Sequence, residues 1–196
     1  MRRPLIAIAA AATLAGCGIN SIPTAEENVN ARWADVQADY QRRANLIPNL
    51  VSTVKASVQA EDKVLTDALN ARARATSVQL NPGDLSDPAK VAQFQQAQGQ
   101  LGGSLGRLLV TVEKYPDIKS QQNFQTLTTG LEGTENRIAI AIRDYNAAVQ
   151  AYNTRIRTFP DAVGARVFYG AKPKVPYQAT TPGAENAPTV NFGNMS

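Results

Sequence analysis

Histidine is absent from the 196 residues, and cysteine occurs once. Without histidine there is no Ser-His-Asp triad, no Cys-His dyad and no histidine-rich zinc site. A single cysteine forms no internal disulfide, so no disulfide framework holds the fold. Aromatic residues make up only 6 % of the chain, and alternating β-branched runs are missing, whereas alanine and glutamine are abundant. That balance favours helices over strands. Charge is scarce too: the formal net charge is +4. Arg2 and Arg3 belong to a segment read below as removed, and the remainder carries only a slight positive excess, which is no nucleic-acid footprint. No apolar run reaches across a bilayer. Pro4 to Ala15 would be roughly 18 Å as helix, against a hydrocarbon core of about 30 Å. The length fits one domain that can bury its own core.

What is present begins with an address. Met1-Arg2-Arg3 is a short positive segment, Pro4 to Thr13 is apolar or small, and Leu14-Ala15-Gly16-Cys17 follows. This is the layout of a secretory signal ending in small residues. The tetrad is similar to the lipobox of bacterial lipoproteins, which makes Cys17 the acylated N-terminus of the mature chain, carrying palmitate-type chains. Gly18 rather than Asp follows the cysteine, which favours the outer over the inner membrane in a diderm host. Residues 1–16 are thus a signal peptide, and 17–27 an acylated terminus and tether.

Apolar residues then recur at helical spacing. Val29, Trp33, Val36, Tyr40, Ile47, Leu50, Val54, Val58, Leu65 and Leu69 fall on one face, in steps of three, four or their sums. The phase runs through Pro48, so the pattern predicts one long kinked helix to about Val78, or two helices nearly in line. Asn81-Pro82-Gly83-Asp84 is a turn, and Asp87-Pro88 is an N-cap followed by proline at the first helical position. A second stripe runs from Val91 to Tyr115, broken only by Gln98. A third runs from Phe124 to Phe159, and a short helical piece at about 162–169 follows. From residue 171 the chain is rich in proline and small polar residues and is predicted to be disordered. The fold class is all-α: an up-and-down antiparallel bundle of three long helices plus a short C-terminal helix. A long coiled coil is the alternative, because the steps also fit heptads.

Several strings within residues 28–170 point to a family. They are Arg42-Arg43-Ala44-Asn45-Leu46-Ile47-Pro48-Asn49-Leu50-Val51, Gly102-Gly103-Ser104-Leu105-Gly106-Arg107-Leu108-Leu109 with Tyr115-Pro116-Asp117, Leu131-Glu132-Gly133-Thr134-Glu135-Asn136-Arg137-Ile138, and Tyr145-Asn146 followed by Tyr152-Asn153. Together they resemble the LemA family. The resemblance implies a helical bundle in the bacterial envelope and brings no catalytic residue with it. The chain departs from the family pattern in its lipobox, where many relatives have a transmembrane helix, and in its proline-rich tail.

The functional expectations follow from these residues. Catalytic residues, metal ligands and cofactors are expected to be none. Glu132, Glu135, Arg137, Arg143 and Asp144 are read as a solvated face, or as a polar layer pairing with Arg42 or Arg43. Gly99, Gly102, Gly103 and Gly106 are read as sites of close helix packing. Asn146 and Asn153, seven apart, are read as buried residues that fix helix register, and Tyr145 and Tyr152 as core. If the second helix returns only to the level of Leu50, the Pro48 and Pro116 motifs meet, and Val29, Trp33, Val36 and Tyr40 lack a partner. Trp33, Asn45, Pro48, Asn49, Tyr115, Pro116 and Asp117 are therefore the candidate partner-binding residues. The partner is expected to be a protein or a second copy of the chain, with the membrane held through Cys17 and no nucleic acid. The primary expectation is a non-enzymatic, lipid-anchored scaffold on the periplasmic side. The alternatives are a small-ligand binder or enzyme with a polar site between helices, and an accessory subunit of a membrane protease or stress system.

Overall fold

The computed structural model describes residues 20–57 and 62–178. The expected signal peptide, Cys17 and the expected tail beyond residue 178 lie outside these residues. Six helices occur among the described residues: α1 Ser21–Ser57, α2 Asp62–Ser77, α3 Pro88–Val112, α4 Pro116–Lys119, α5 Gln122–Arg155 and α6 Asp161–Val167, with a 3₁₀ turn Pro82–Ser86 before α3. The fold is an all-α up-and-down bundle, and its long helices number four rather than three.

The extra helix comes from a reversal where the periodicity predicts continuation. The Arg72 Nε donates to the Ala44 carbonyl at 2.7 Å, and the Gln37 amide donates to the Leu80 carbonyl at 3.1 Å. Both contacts require α2 to run back along α1. Ala56 to Glu61 contains neither glycine nor proline, and the apolar phase continues through Val58 to Leu65, so spacing alone cannot report the turn. The Gln98 amide reaches the Ala75 carbonyl at 3.1 Å, which sets α3 antiparallel to α2. α5 then runs antiparallel along α1, from Gly130 beside Leu46 to Arg155 beside Ser21.

At both ends of the described residues the chain is more structured than composition suggests. The expected tether is helical from Ser21, with Pro23 in the first turn, where a missing N–H breaks no helical bond, and with Ile22 buried. Residues 171–178 form an extended strap on the bundle rather than a disordered tail. The Asn146 side chain donates to the Tyr177 carbonyl at 2.9 Å and accepts from the Tyr177 N–H at 2.7 Å. Asn153 treats Lys174 the same way, at 2.8 Å in both directions. Seven helical residues and three extended residues each span about 10 Å, so two amides on one helix face meet two peptide groups of a strand-like segment. The half-buried asparagines thus set the register of the strap on α5, where a register between helices was expected.

The core has two parts. One holds Trp33, Tyr40, Phe94, Tyr145, Tyr152 and Tyr177 with Val29, Val36, Leu80 and Leu85. The other is almost wholly aliphatic: Ile47, Leu50, Val54, Leu65, Leu101, Leu105, Leu108 and Ile118, with Phe124 as its buried ring. The first lies at the pole where α1 starts and α6 packs; the second lies at the pole of α4. α3 begins as expected, with Asp87 Oδ1 accepting from the Ala89 N–H at 2.9 Å. Three of its glycines do not pack closely, contrary to expectation. A Cβ on Gly102 or Gly106 would meet no atom within 4 Å, and one on Gly103 only the Arg107 guanidinium at 3.9 Å.

Candidate functional site

The two cores meet at a buried polar layer. Arg43, on α1, has a side chain only 5 % exposed. Its Nη1 donates to Glu135 Oε1 on α5 at 3.0 Å, and its Nη2 donates to the Gln98 carbonyl at 3.2 Å and to Gln98 Oε1 at 2.8 Å. Gln98, the one polar break in the α3 stripe, passes the connection on to Ala75 of α2. One guanidinium thus ties together all four long helices. The same group lies 4.9 Å from the centre of the Tyr40 ring, a cation–π arrangement. Beside it, buried Asp39 holds Arg42 at 2.7 Å and faces Arg137 at 3.6 Å. The expected pairing of Arg43 with the Glu132–Arg143 cluster is therefore present through Glu135. A buried charge with good hydrogen bonds fixes helix positions more than it adds stability.

Pro48 has an equally specific role. Proline has no N–H, so the carbonyl four residues earlier, that of Ala44, loses its helical donor. Arg72 supplies the replacement from α2. The carbonyl opened by Pro48 is therefore taken up inside the molecule. Pro48 itself is half-buried, while Asn45 and Asn49 are exposed. Asn45 Oδ1 accepts from the Gln41 side chain at 2.8 Å.

The meeting of the Pro48 and Pro116 motifs is found. Leu46 and Tyr115 pack against the aliphatic core that holds Ile47, Leu50 and Ile118, and α4 touches α1. Pro116 and Asp117 are exposed beside them. Trp33 departs from expectation. It is 2 % exposed, its ring centre lies 5.2 Å from those of Phe94 and Tyr145, and its indole N–H donates to the Leu80 carbonyl at 3.3 Å. Val29, Val36 and Tyr40 are buried as well. α5, the strap and the chain around Leu80 close the supposedly unpartnered stripe, so it gives no ground for self-association, and Trp33 is not a surface residue. The Gln98, Asn146 and Asn153 contacts are the signals that spacing alone undervalues.

Tyr40 and Tyr177 join hydroxyls at 2.5 Å, and the Tyr145 hydroxyl donates to the Val175 carbonyl at 2.9 Å. Burial pushes the Tyr40 and Tyr145 phenols far up. Burial also raises the Tyr177 phenol, against the opposing pull of its bond to Tyr40. Tyr152 is pushed up to about 12, by burial first and by the nearby Glu26 charge second. Lys174, on the strap, pairs with Glu26 at 2.7 Å while its side chain is 5 % exposed.

A crevice of about 320 Å³ opens beside the layer, between Gln37, Gln41, Gln79 and Gln98. Its lining contains neutral amides, Thr76 and apolar groups, and no charged side chain. Acid–base catalysis has no ready proton carrier there, because the only titratable lining group is the raised Tyr40 phenol. Among the described residues, no cluster of three metal-ligating side chains occurs, and no helix is long and apolar enough to cross a membrane.

The LemA family model matches residues 32–192 of this chain. Magnetosome protein MamQ 2 of Paramagnetospirillum magneticum is 29% identical over 159 residues, which is 72% of this chain and 58% of that protein. MamQ of Magnetospirillum gryphiswaldense is 27% identical over the same shares. Protein LemA of Metamycoplasma hominis is 23% identical over 124 residues, 63% of this chain and 52% of that protein. The chain thus spans little more than half the length of these relatives.

Proposed function

The chain belongs to the LemA family, and from that premise we propose that it is a non-enzymatic, lipid-anchored scaffold of the bacterial cell envelope. In this reading Cys17 carries the acyl chains, the bundle stands on the periplasmic face of the membrane, and the pole far from the anchor recruits a protein partner. The outer membrane is favoured by Gly18 after the acylated cysteine. Several acyl chains on one terminus give durable anchoring, since a single chain binds only marginally.

The observation that carries the reading is where the family's polar motif residues stand. Asn45, Asn49, Pro116 and Asp117 remain exposed although their neighbours Ile47, Leu50 and Ile118 are buried. They stand towards the pole opposite Ser21. That is the arrangement of a presented surface on a rigid base, and the crevice beside it has no charged group for catalysis.

Photo-crosslinking in intact cells tests this. Probes at Asn49 and Asp117, in native and Cys17→Ala backgrounds, are expected to give a discrete protein adduct that disappears without the cysteine. Folded, membrane-fractionating protein with no adduct at either position would overturn the scaffold. The glutamine-lined crevice supports a second reading, a small neutral ligand held by amides, whose signature is loss of binding on Gln98→Leu with Asn49 and Asp117 probes silent.

A further inference from the structure

One surface at the anchored pole has no place in the scaffold reading. Phe159 is 85 % exposed, Val163 55 %, and Val167 and Phe168 68 % each. Phe159, Val163 and Val167 follow one another at intervals of four, and the last two share a face of α6. Tyr169, also exposed, follows Phe168 directly, whereas Leu69, Val110 and Ile140, the remaining large apolar side chains exposed among the described residues, lie on separate helices. Isolated examples of this kind are ordinary on a soluble surface, whereas a contiguous cluster is not.

The position of the cluster says what covers it. α6 is held to the start of α1 by the Ser21 hydroxyl, which donates to Asp161 at 2.8 Å, while the Arg155 guanidinium at the end of α5 donates to the Ser21 carbonyl at 3.0 Å. Ile22 lies 3.7 Å from where a Cβ on Gly164 would stand. Cys17 precedes Ser21 by four residues, so the two are at most about 14 Å apart. An acylated Cys17 therefore brings the cluster down to the headgroups. The charge agrees. Asp161 is the one acidic residue between 145 and 178, and Arg155 faces it at 3.5 Å. Arg157, Arg166 and Lys172 border the cluster and are exposed. Exposed aliphatic and aromatic side chains bordered by cations match the interfacial layer of a membrane.

We propose that the apolar surface made by Val163 and Val167 of α6 with the flanking Phe159 and Phe168 lies on the headgroup region of the lipid bilayer and sets the tilt of the bundle. This rests on the anchored reading of Cys17. Anchor and face then act as two attachment points, and the bundle stands at a fixed angle instead of swinging on its leash.

The test separates the two claims. The mass of the N-terminal fragment from cells decides whether Cys17 is acylated. For the face, the mature chain is coupled through its only thiol, Cys17, to maleimide lipid in vesicles of phosphatidylethanolamine and phosphatidylglycerol, which supplies a tether whatever the cell does. Val163→Trp then reports on α6 and Gln122→Trp on the opposite pole, with buried Trp33 as an internal reference for folding. Brominated lipid is expected to remove about half of the Val163→Trp emission, as it would for an indole about 5–10 Å below the surface. It is expected to spare Gln122→Trp. Equal, weak quenching of both probes in the folded coupled protein overturns the proposal. So does a Val163→Trp blue shift that grows with protein concentration in the absence of vesicles, because it would assign the face to a second copy of the chain.

Discussion

The two halves of the bundle are held together in different ways. The aliphatic half is closed by four helices and the short α4, with Leu, Ile and Val from each filling the space. The aromatic half has the larger side chains and yet is not closed by helices alone. It depends on a non-helical strap, whose backbone is held by two asparagines and whose Tyr177 fills the remaining space. Branched aliphatics interlock through shape, while ring-rich cores leave polar tips that need partners. Here those partners are peptide groups: Leu80 for Trp33 and Val175 for Tyr145. Arg43 sits where the two regimes meet and ties both to the same four helices.

Strong base should part the halves most completely. The phenols raised by burial, Tyr40, Tyr145, Tyr152 and Tyr177, all lie in the aromatic half. Their folded pKa values lie above the ordinary 10, so the folded state keeps protons that the unfolded state releases. The stability they contribute is complete below pH about 10 and falls as pH rises through the window above it. Trp33 emission is expected to change before helical circular dichroism is lost. Coincidence of the two signals would show that the halves do not open separately.

Cavities come next. Trp33→Ala should cost about 3–5 kcal/mol and Leu105→Ala about 2–5 kcal/mol in urea unfolding. The sharper contrast is in trypsin sensitivity. Trp33→Ala should expose the strap to cleavage after Lys174, and Leu105→Ala should leave it resistant. Equal strap cleavage in both variants would mean that the cores are one unit.

The double change Asn146→Ala, Asn153→Ala removes four strap hydrogen bonds and should cost about 1–3 kcal/mol per side chain. Amide exchange is expected to rise around Trp33 and Tyr145 and to stay unchanged around Leu105 and Ile118. The smallest effect has the opposite sign. Gly102→Ala and Gly106→Ala point into open space and should each stabilise α3 by up to about 1 kcal/mol, read as a higher thermal midpoint. A loss of stability would mean that something covers this face in solution.

Much of this was legible in the chain because helical periodicity is local. The stripes of α1, α3 and α5, the Asp87 cap and the short α6 all follow from spacing and capping. What spacing could not convey is direction. The reversal between α1 and α2 contains no turn residue, so an unbroken apolar phase reads as continuation. The strap failed for a different reason. Its proline, lysine and small residues look like an unfolded tail, and the groups that hold it, Asn146 and Asn153, belong to a helix in another part of the chain. Trp33 looked unpartnered because its cover comes from Leu80, Phe94 and Tyr145, distant in sequence. Arg72 is the same case, since nothing near Pro48 foretells which side chain will answer its open carbonyl.

The strap also fixes an order of assembly. Synthesis is vectorial, and residues 47–131, which supply the buried side chains of the aliphatic half, are all made before the strap. Tyr177, by contrast, bonds to Tyr40 across 137 positions. The oldest part of the bundle therefore waits for almost the youngest, and its rings stay without their final cover until nearly the whole polypeptide is available. A chain with that connectivity completes itself late, and its aromatic half stays open for most of its own production.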